Sequence, residues 1–174
     1  MAKHHLRSSH PSSHFFQITY ETDVLEREKT QVHLPLWRPG RYEMQHFPKN
    51  VRHWQATDEK GNLLPFHKTD LGTWEVQTVG IQKLRISYEI YAYQFDAGGS
   101  YCDEQVYYAT PGNCFLYTDA ELNLPQELYI EYPESWTLAC SLPFKDNKTV
   151  YAETYTELAD SPFIAAPKLI HTLS

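Results

Sequence analysis

The chain has 174 residues, and none of its apolar runs approaches the ~20 residues that a membrane-spanning helix needs. Its first residues also lack the apolar core of a secretory leader. Cysteine is scarce. Cys102, Cys114 and Cys140 are too few and too widely spaced for a disulfide framework or for a zinc site of paired thiolates. Free thiols in a reducing, cytoplasmic setting are the expectation, and Cys102–Cys114 is the one pairing a hairpin would allow. Positive charge is short as well. The 15 Lys and Arg against 22 Asp and Glu leave a net charge of -7. That balance argues against nucleic acid, which needs a basic face, and against anionic membrane surfaces.

Several catalytic signatures are missing. None of the nine histidines is followed by Glu, so there is no His-Glu-x-x-His to place two imidazoles on one helix face. Gly98-Gly99 is not followed by the Gly-Lys-Ser/Thr of a phosphate loop, and there is no Gly-x-Ser-x-Gly elbow.

Aromatic residues are abundant: 14% of the chain, with 13 Tyr and 4 Trp, in a composition 41% hydrophobic. Disordered chains are poor in such residues, so a folded soluble protein with one domain and its own core is expected. The pattern is that of strands. Phe16, Ile18 and Tyr20 alternate over residues 15–22, and Val32, Leu34 and Leu36 over 31–37. Residues 51–57 and 63–66 flank the turn Asp58-Glu59-Lys60-Gly61-Asn62 as a hairpin. Trp74 and Val76 share a face over 73–78. Residues 82–93 form the longest strand, with Leu84, Ile86, Tyr88 and Ile90 opposed to Lys83, Arg85, Ser87 and Glu89. Shorter strands follow at 105–109, 113–118, 127–132, 136–140 and 149–154, with single helical turns at 42–49 and 156–160. Roughly ten short strands without strand–helix–strand alternation predict an all-β fold, a two-layer antiparallel sandwich or saddle-like sheet. Residues 1–13 read as a flexible polar lead, 14–163 as the domain, and 164–174 as an extended edge segment or linker.

Three constellations could carry chemistry. His33, His46, His53 and His67 lie in or beside strands and would make a small metal enzyme if they met. His10 and His14 are four apart, but Pro11 and two serines between them oppose a helix. Asp103 and Glu104 follow Tyr101 in a Gly-containing loop, where paired carboxylates could hold an amine or a metal or do acid–base work, although a solvated turn is the reading the residues alone favour. Tyr88, Tyr91, Tyr93, Tyr101, Tyr107, Tyr108 and Tyr117 would line a sugar- or peptide-binding sheet face if exposed, or pack as ordinary strand aromatics if buried.

The segment Leu34-Pro35-Leu36-Trp37-Arg38-Pro39-Gly40-Arg41-Tyr42 resembles the Leu-Pro-x-Trp-x-Pro-Gly-x-Tyr stretch of glycyl aminopeptidase-type metallopeptidases, zinc enzymes of the gluzincin group. Phe47 and Asn50-Val51, the 58–63 turn, Lys68-Thr69-Asp70 with Trp74-Glu75-Val76, Tyr88-Glu89-Ile90-Tyr91-Ala92 and Leu158-Ala159-Asp160-Ser161-Pro162 continue the resemblance in order. It spans residues 14–163. It implies an N-terminal, non-catalytic β domain whose zinc and catalytic residues belong to a separate catalytic domain in cis. It carries over no metal ligand, no catalytic residue and no cofactor to this chain. By the same analogy Tyr101, Asp103, Glu104 and Asn113 would form a rim near a peptide substrate's amino end. Trp37, Pro39, Gly40, Tyr42 and Trp74 would be architectural, with Trp37 capping the core. An unpartnered apolar face should remain, open to the catalytic domain or to a second copy. The contrasting expectation is an independent carbohydrate- or peptide-binding sandwich.

Overall fold

The computed structural model describes residues 1–24, 28–37, 43–96 and 98–167. Among them are thirteen strands: β1 (Ala2–Arg7), β2 (Phe15–Asp23), β3 (Lys29–His33), β4 (Val51–Thr57), β5 (Phe66–Asp70), β6 (Thr73–Gln77), β7 (Lys83–Tyr91), β8 (Ser100–Cys102), β9 (Tyr107–Ala109), β10 (Gln126–Ile130), β11 (Thr137–Cys140), β12 (Thr149–Ala152) and β13 (Phe163–Ala166). The helix α1 (Tyr155–Ala159) precedes β13. The strands form a six-stranded sheet, β12-β10-β1-β2-β7-β4, a four-stranded sheet, β11-β13-β9-β8, and a three-stranded sheet, β3-β6-β5. All pairs are antiparallel except β1 with β10. The fold is all-β and sandwich-like, as the alternation predicts.

The β2–β7 pair is its spine. Nine residues align from Phe15 opposite Tyr91 to Asp23 opposite Lys83. Alternation then sends Phe16, Ile18, Tyr20, Leu84, Ile86, Tyr88 and Ile90 inward, all buried. They share one core with Val32, Trp74 and Val76 of the three-stranded sheet and with Phe115 and Leu158. Past Tyr91 the chain continues into the second sheet. The Cys102 N–H donates to Ala92 O at 3.0 Å, the Gln94 N–H donates to Ser100 O at 2.9 Å, and Tyr93 is bridged to Tyr101. One surface therefore runs from the six-stranded sheet onto the four-stranded sheet.

Several expectations need correction. Residues 1–13 are not a loose lead. Ala2–Arg7 is a strand inside the six-stranded sheet, between β10 and β2. Its Ala2, His4 and Leu6 are buried and its Lys3 and Arg7 exposed. The 58–62 turn forms as expected: Asp58 Oδ1 accepts from the Lys60 and Asn62 N–H groups, both at 2.8 Å. Its return arm, however, keeps only a bridge from Leu63 to Thr57. Pro65 has no N–H to extend the ladder, and the chain crosses to pair Phe66–Asp70 with β6. Residues 113–118 are not a strand. Pro111–Asn113 is a 3-10 turn, and Tyr117 is bridged to His33. The described part of the tail, to Pro167, is not an edge either, because β13 lies between β11 and β9 with prolines only at its two ends.

The strand expected over 31–37 ends at His33. Leu34 instead passes closely over Gly72, donating its N–H to Gly72 O at 2.8 Å. A Cβ on Gly72 would lie 2.6 Å from Leu34 O, so a side chain there would force the two segments apart. Trp37 does not cap the core, for it is 66% exposed. Trp74 is buried and stacked on Trp54 with ring centroids 5.6 Å apart. Pro39, Gly40 and Tyr42 lie outside the described residues.

Candidate functional site

The strand histidines are not brought together. His33 Nδ1 meets Thr73 Oγ1 at 3.0 Å, while its Nε2 is 3.8 Å from Asp119. His53 lies beside Glu89 and His67 beside Glu75. Among the described residues no three His, Cys, Asp or Glu groups converge to hold a metal ion. The donor set of the described residues thus does not fit zinc. The three cysteines are free. Burial pushes the Cys102 and Cys114 thiols up to about 12, which keeps them protonated and poor nucleophiles at neutral pH.

The four rim residues separate into two groups. Tyr101, Asp103 and Glu104 share the β8–β9 hairpin. The Tyr101 hydroxyl donates to Asp103 Oδ2 at 2.9 Å, and Asp103 Oδ1 accepts from the Gln105 and Val106 N–H groups at 2.7 and 2.9 Å. Partial burial works to raise the Asp103 pKa, but these hydrogen bonds and nearby His14 outweigh it and hold the carboxyl below its usual range. Asp103 is therefore an ionised, fixed carboxylate with exposed Glu104 beside it. Asn113 is elsewhere and buried. Its Oδ1 accepts from Ser100 Oγ at 2.7 Å and Cys114 Sγ at 3.0 Å, and its Nδ2 donates to Gly98 O at 2.9 Å. These bonds tie it to the base of the hairpin.

Asn113 borders a cleft of about 340 Å³, walled mainly by Pro35, Trp37, Phe47, Tyr117 and Tyr155, with Asp160 at its edge. Trp37 is thus one wall of a concavity. Sequence spacing gave no signal for this cleft, because its walls come from four separated segments.

The tyrosine set also divides by face. Tyr88 and Tyr107 are buried. Tyr88 donates to Cys114 O at 2.7 Å, and Tyr107 packs edge-on to Phe16 and Trp136. Tyr91, Tyr93, Tyr101 and Tyr108 point outward, joined by Phe95, His14 and Phe15. Phe95 was not among the aromatics the sequence singled out. Its signal was there, since the alternation through Glu89, Tyr91 and Tyr93 continues to it.

With this geometry in place, residues 3–167 match the peptidase M61 N-terminal domain. The chain belongs to that family. No curated protein sequence matches it. Among solved structures, an aminopeptidase N family protein from Idiomarina loihiensis is similar, with 22% identity and a TM-score of 0.88 over 95% of this chain and 29% of that one. An M1 zinc metallopeptidase from Deinococcus radiodurans, solved with a Tyr-Ser-Ala substrate, gives 18% identity and a TM-score of 0.50 over 95% of this chain and 41% of that one. At these identities the likeness is one of fold. The M61 N-terminal domain described here spans less than half the length of either structure. It is a peptidase M61 N-terminal domain, and the independent sugar- or peptide-binding module has no comparable support. No helix among the described residues is long and apolar enough to cross a membrane.

Proposed function

We propose that this M61 N-terminal domain is the non-catalytic β module of a zinc aminopeptidase, packed in cis on a catalytic domain. In this reading zinc and the reacting groups belong to the catalytic domain. The present chain lends the Tyr101–Glu104 loop to the rim of the substrate cleft. The family match over residues 3–167 carries the proposal. The loop's chemistry supports the second part of it. A carboxylate fixed by two backbone N–H groups and a tyrosine hydroxyl attracts the protonated amino end of a peptide without first having to be ordered. Three free thiols suit a reducing compartment such as the cytoplasm.

Steady-state kinetics on peptides with free and blocked amino ends test the reading. In the full polypeptide, Asp103→Asn combined with Glu104→Gln should raise KM for free-amine substrates more than it lowers kcat. The purified 174-residue chain should not hydrolyse aminoacyl substrates with zinc added. Robust zinc-dependent hydrolysis by that chain would overturn the proposal.

A further inference from the structure

Along β7 and its continuation past Tyr91 the outward positions read Lys83, Arg85, Ser87 and Glu89, and then Tyr91, Tyr93 and Phe95. The first group is built for water. Arg85 pairs with Glu21 at 2.6 Å and Glu89 with Arg52 at 2.6 Å. The second group is apolar yet open, with Tyr91, Tyr93 and Phe95 at 42%, 58% and 61% exposure. The sheet register carries the change sideways. Tyr93 is bridged to Tyr101, Tyr101 lies opposite Tyr108, and Tyr108 lies opposite Ile164 of β13. The rings touch in series: Tyr93–Tyr101 at 5.7 Å, Phe95–Tyr101 at 5.5 Å and Phe95–Tyr108 at 5.2 Å between centroids. Single exposed apolar residues are ordinary on any protein surface, whereas a connected face of them marks a contact.

We infer that this aromatic face is the seat of the catalytic domain in cis, an inference that rests on the function proposed above. Three observations select that occupant. Ile164 and Ala166 of β13, at the C-terminal side of the matched N-terminal domain, lie in the same face. The Idiomarina structure, similar over 95% of this chain, has only 29% of its length in the matched part, so most of that polypeptide lies outside this fold. Tyr101, within the face, also donates its hydroxyl to Asp103. A domain seated there meets the Asp103–Glu104 loop at its border. The matching surface on the catalytic domain is then a flat apolar patch whose border leaves Asp103 and Glu104 open to the cleft.

Hydroxyl-radical footprinting, read by mass spectrometry, tests this on the 174-residue chain and on the full polypeptide that carries its catalytic domain. Oxidation of Tyr93 and Phe95 should fall several-fold in the full polypeptide, while Phe144, exposed elsewhere, stays equally reactive. The double substitution Tyr93→Glu and Phe95→Glu should leave the melting temperature of the short chain unchanged. In the full polypeptide it should restore oxidation at Tyr91 and speed proteolysis at the junction after Pro167. Protection of Trp37 with Tyr93 and Phe95 left reactive would put the seat at the Trp37 cleft. That overturns this inference and leaves the proposed function standing. Protection that grows with the concentration of the short chain alone would make the occupant a second copy and also overturn it. Absence of protection anywhere in the full polypeptide would overturn both the inference and the proposed packing in cis.

Discussion

The outward surface of β7 has two ends that differ in chemistry over a common core. At one end Lys83 and Arg85 pair with Asp23 and Glu21 across the sheet. At the other, Tyr91 and Tyr93 lie open among further rings. Beneath both, the inward residues of the same strand are uniformly buried, from Leu84 to Ile90. The fold does not require the difference, because alternation and burial are satisfied at both ends. The charged end pairs its groups in water, and the aromatic end leaves ring surface in water. Chemistry that changes on one face while the opposite face stays constant separates what a strand owes to folding from what it owes to association.

The largest expected effect tests the common core. Ile86→Ala lies beneath the charged end and Ile90→Ala beneath the aromatic end, and each should destabilise the isolated chain by about 2–5 kcal/mol. Urea unfolding of the two variants should give comparable losses. A much smaller loss at Ile90 would show that the aromatic end is loosely packed, and the two ends would then differ in order as well as in chemistry.

A second prediction concerns adjacent histidines on opposite faces of β1. His4 is buried, stacked on Tyr20 at 5.2 Å, packed against Phe115 and bonded to Gln126, while His5 lies outward beside Glu131. Burial lowers the His4 pKa to about 4 from 6.5, the Gln126 contact opposing this only in part. The unfolded chain therefore binds a proton between pH 6.5 and 4 that the folded chain does not. Stability should fall as pH drops through that window, by roughly 3 kcal/mol. His4→Phe should flatten the change in denaturant midpoint over that range. Equal pH profiles for wild type and His4→Phe would refute the assignment.

These two regions also show how far the sequence could be read. The alternation of β7 and β2 was legible in full, because both strands have one apolar and one polar face. β1 was not legible. Its inward residues are Ala2, His4 and Leu6, and a histidine counts as polar until a stacking ring and an amide partner lie next to it. Pro65 was visible, but its effect, which sends the chain from one sheet to another, depends on where β6 lies. At the candidate site the grouping of Tyr101, Asp103 and Glu104 was legible because they are neighbours in sequence. The removal of Asn113 to a buried network was not, since its partners Ser100 and Gly98 reach it through the fold.

Trp37 supplies a third prediction, smaller than either of these. A buried cap would lose about 3–5 kcal/mol on truncation to Ala. A ring with most of its surface in water should lose less than about 1 kcal/mol. Thermal melts of Trp37→Ala decide between the two. A large loss would show that the ring is held in a buried position in solution, and would move the apolar surface of interest from the β7 face to the cleft.

The smallest expected effect is on stability at the two ends themselves. Arg85→Ser and Tyr93→Ser should each shift the stability of the isolated chain by no more than about 0.5 kcal/mol, as exposed substitutions do. What should differ is colloidal behaviour. Tyr93→Ser removes exposed ring surface, so binding of an apolar fluorescent dye should fall and solubility should rise. Arg85→Ser should leave dye binding unchanged. If both variants bind dye equally, the rings of the aromatic end already satisfy one another. The contrast along β7 would then be one of composition without any bearing on association.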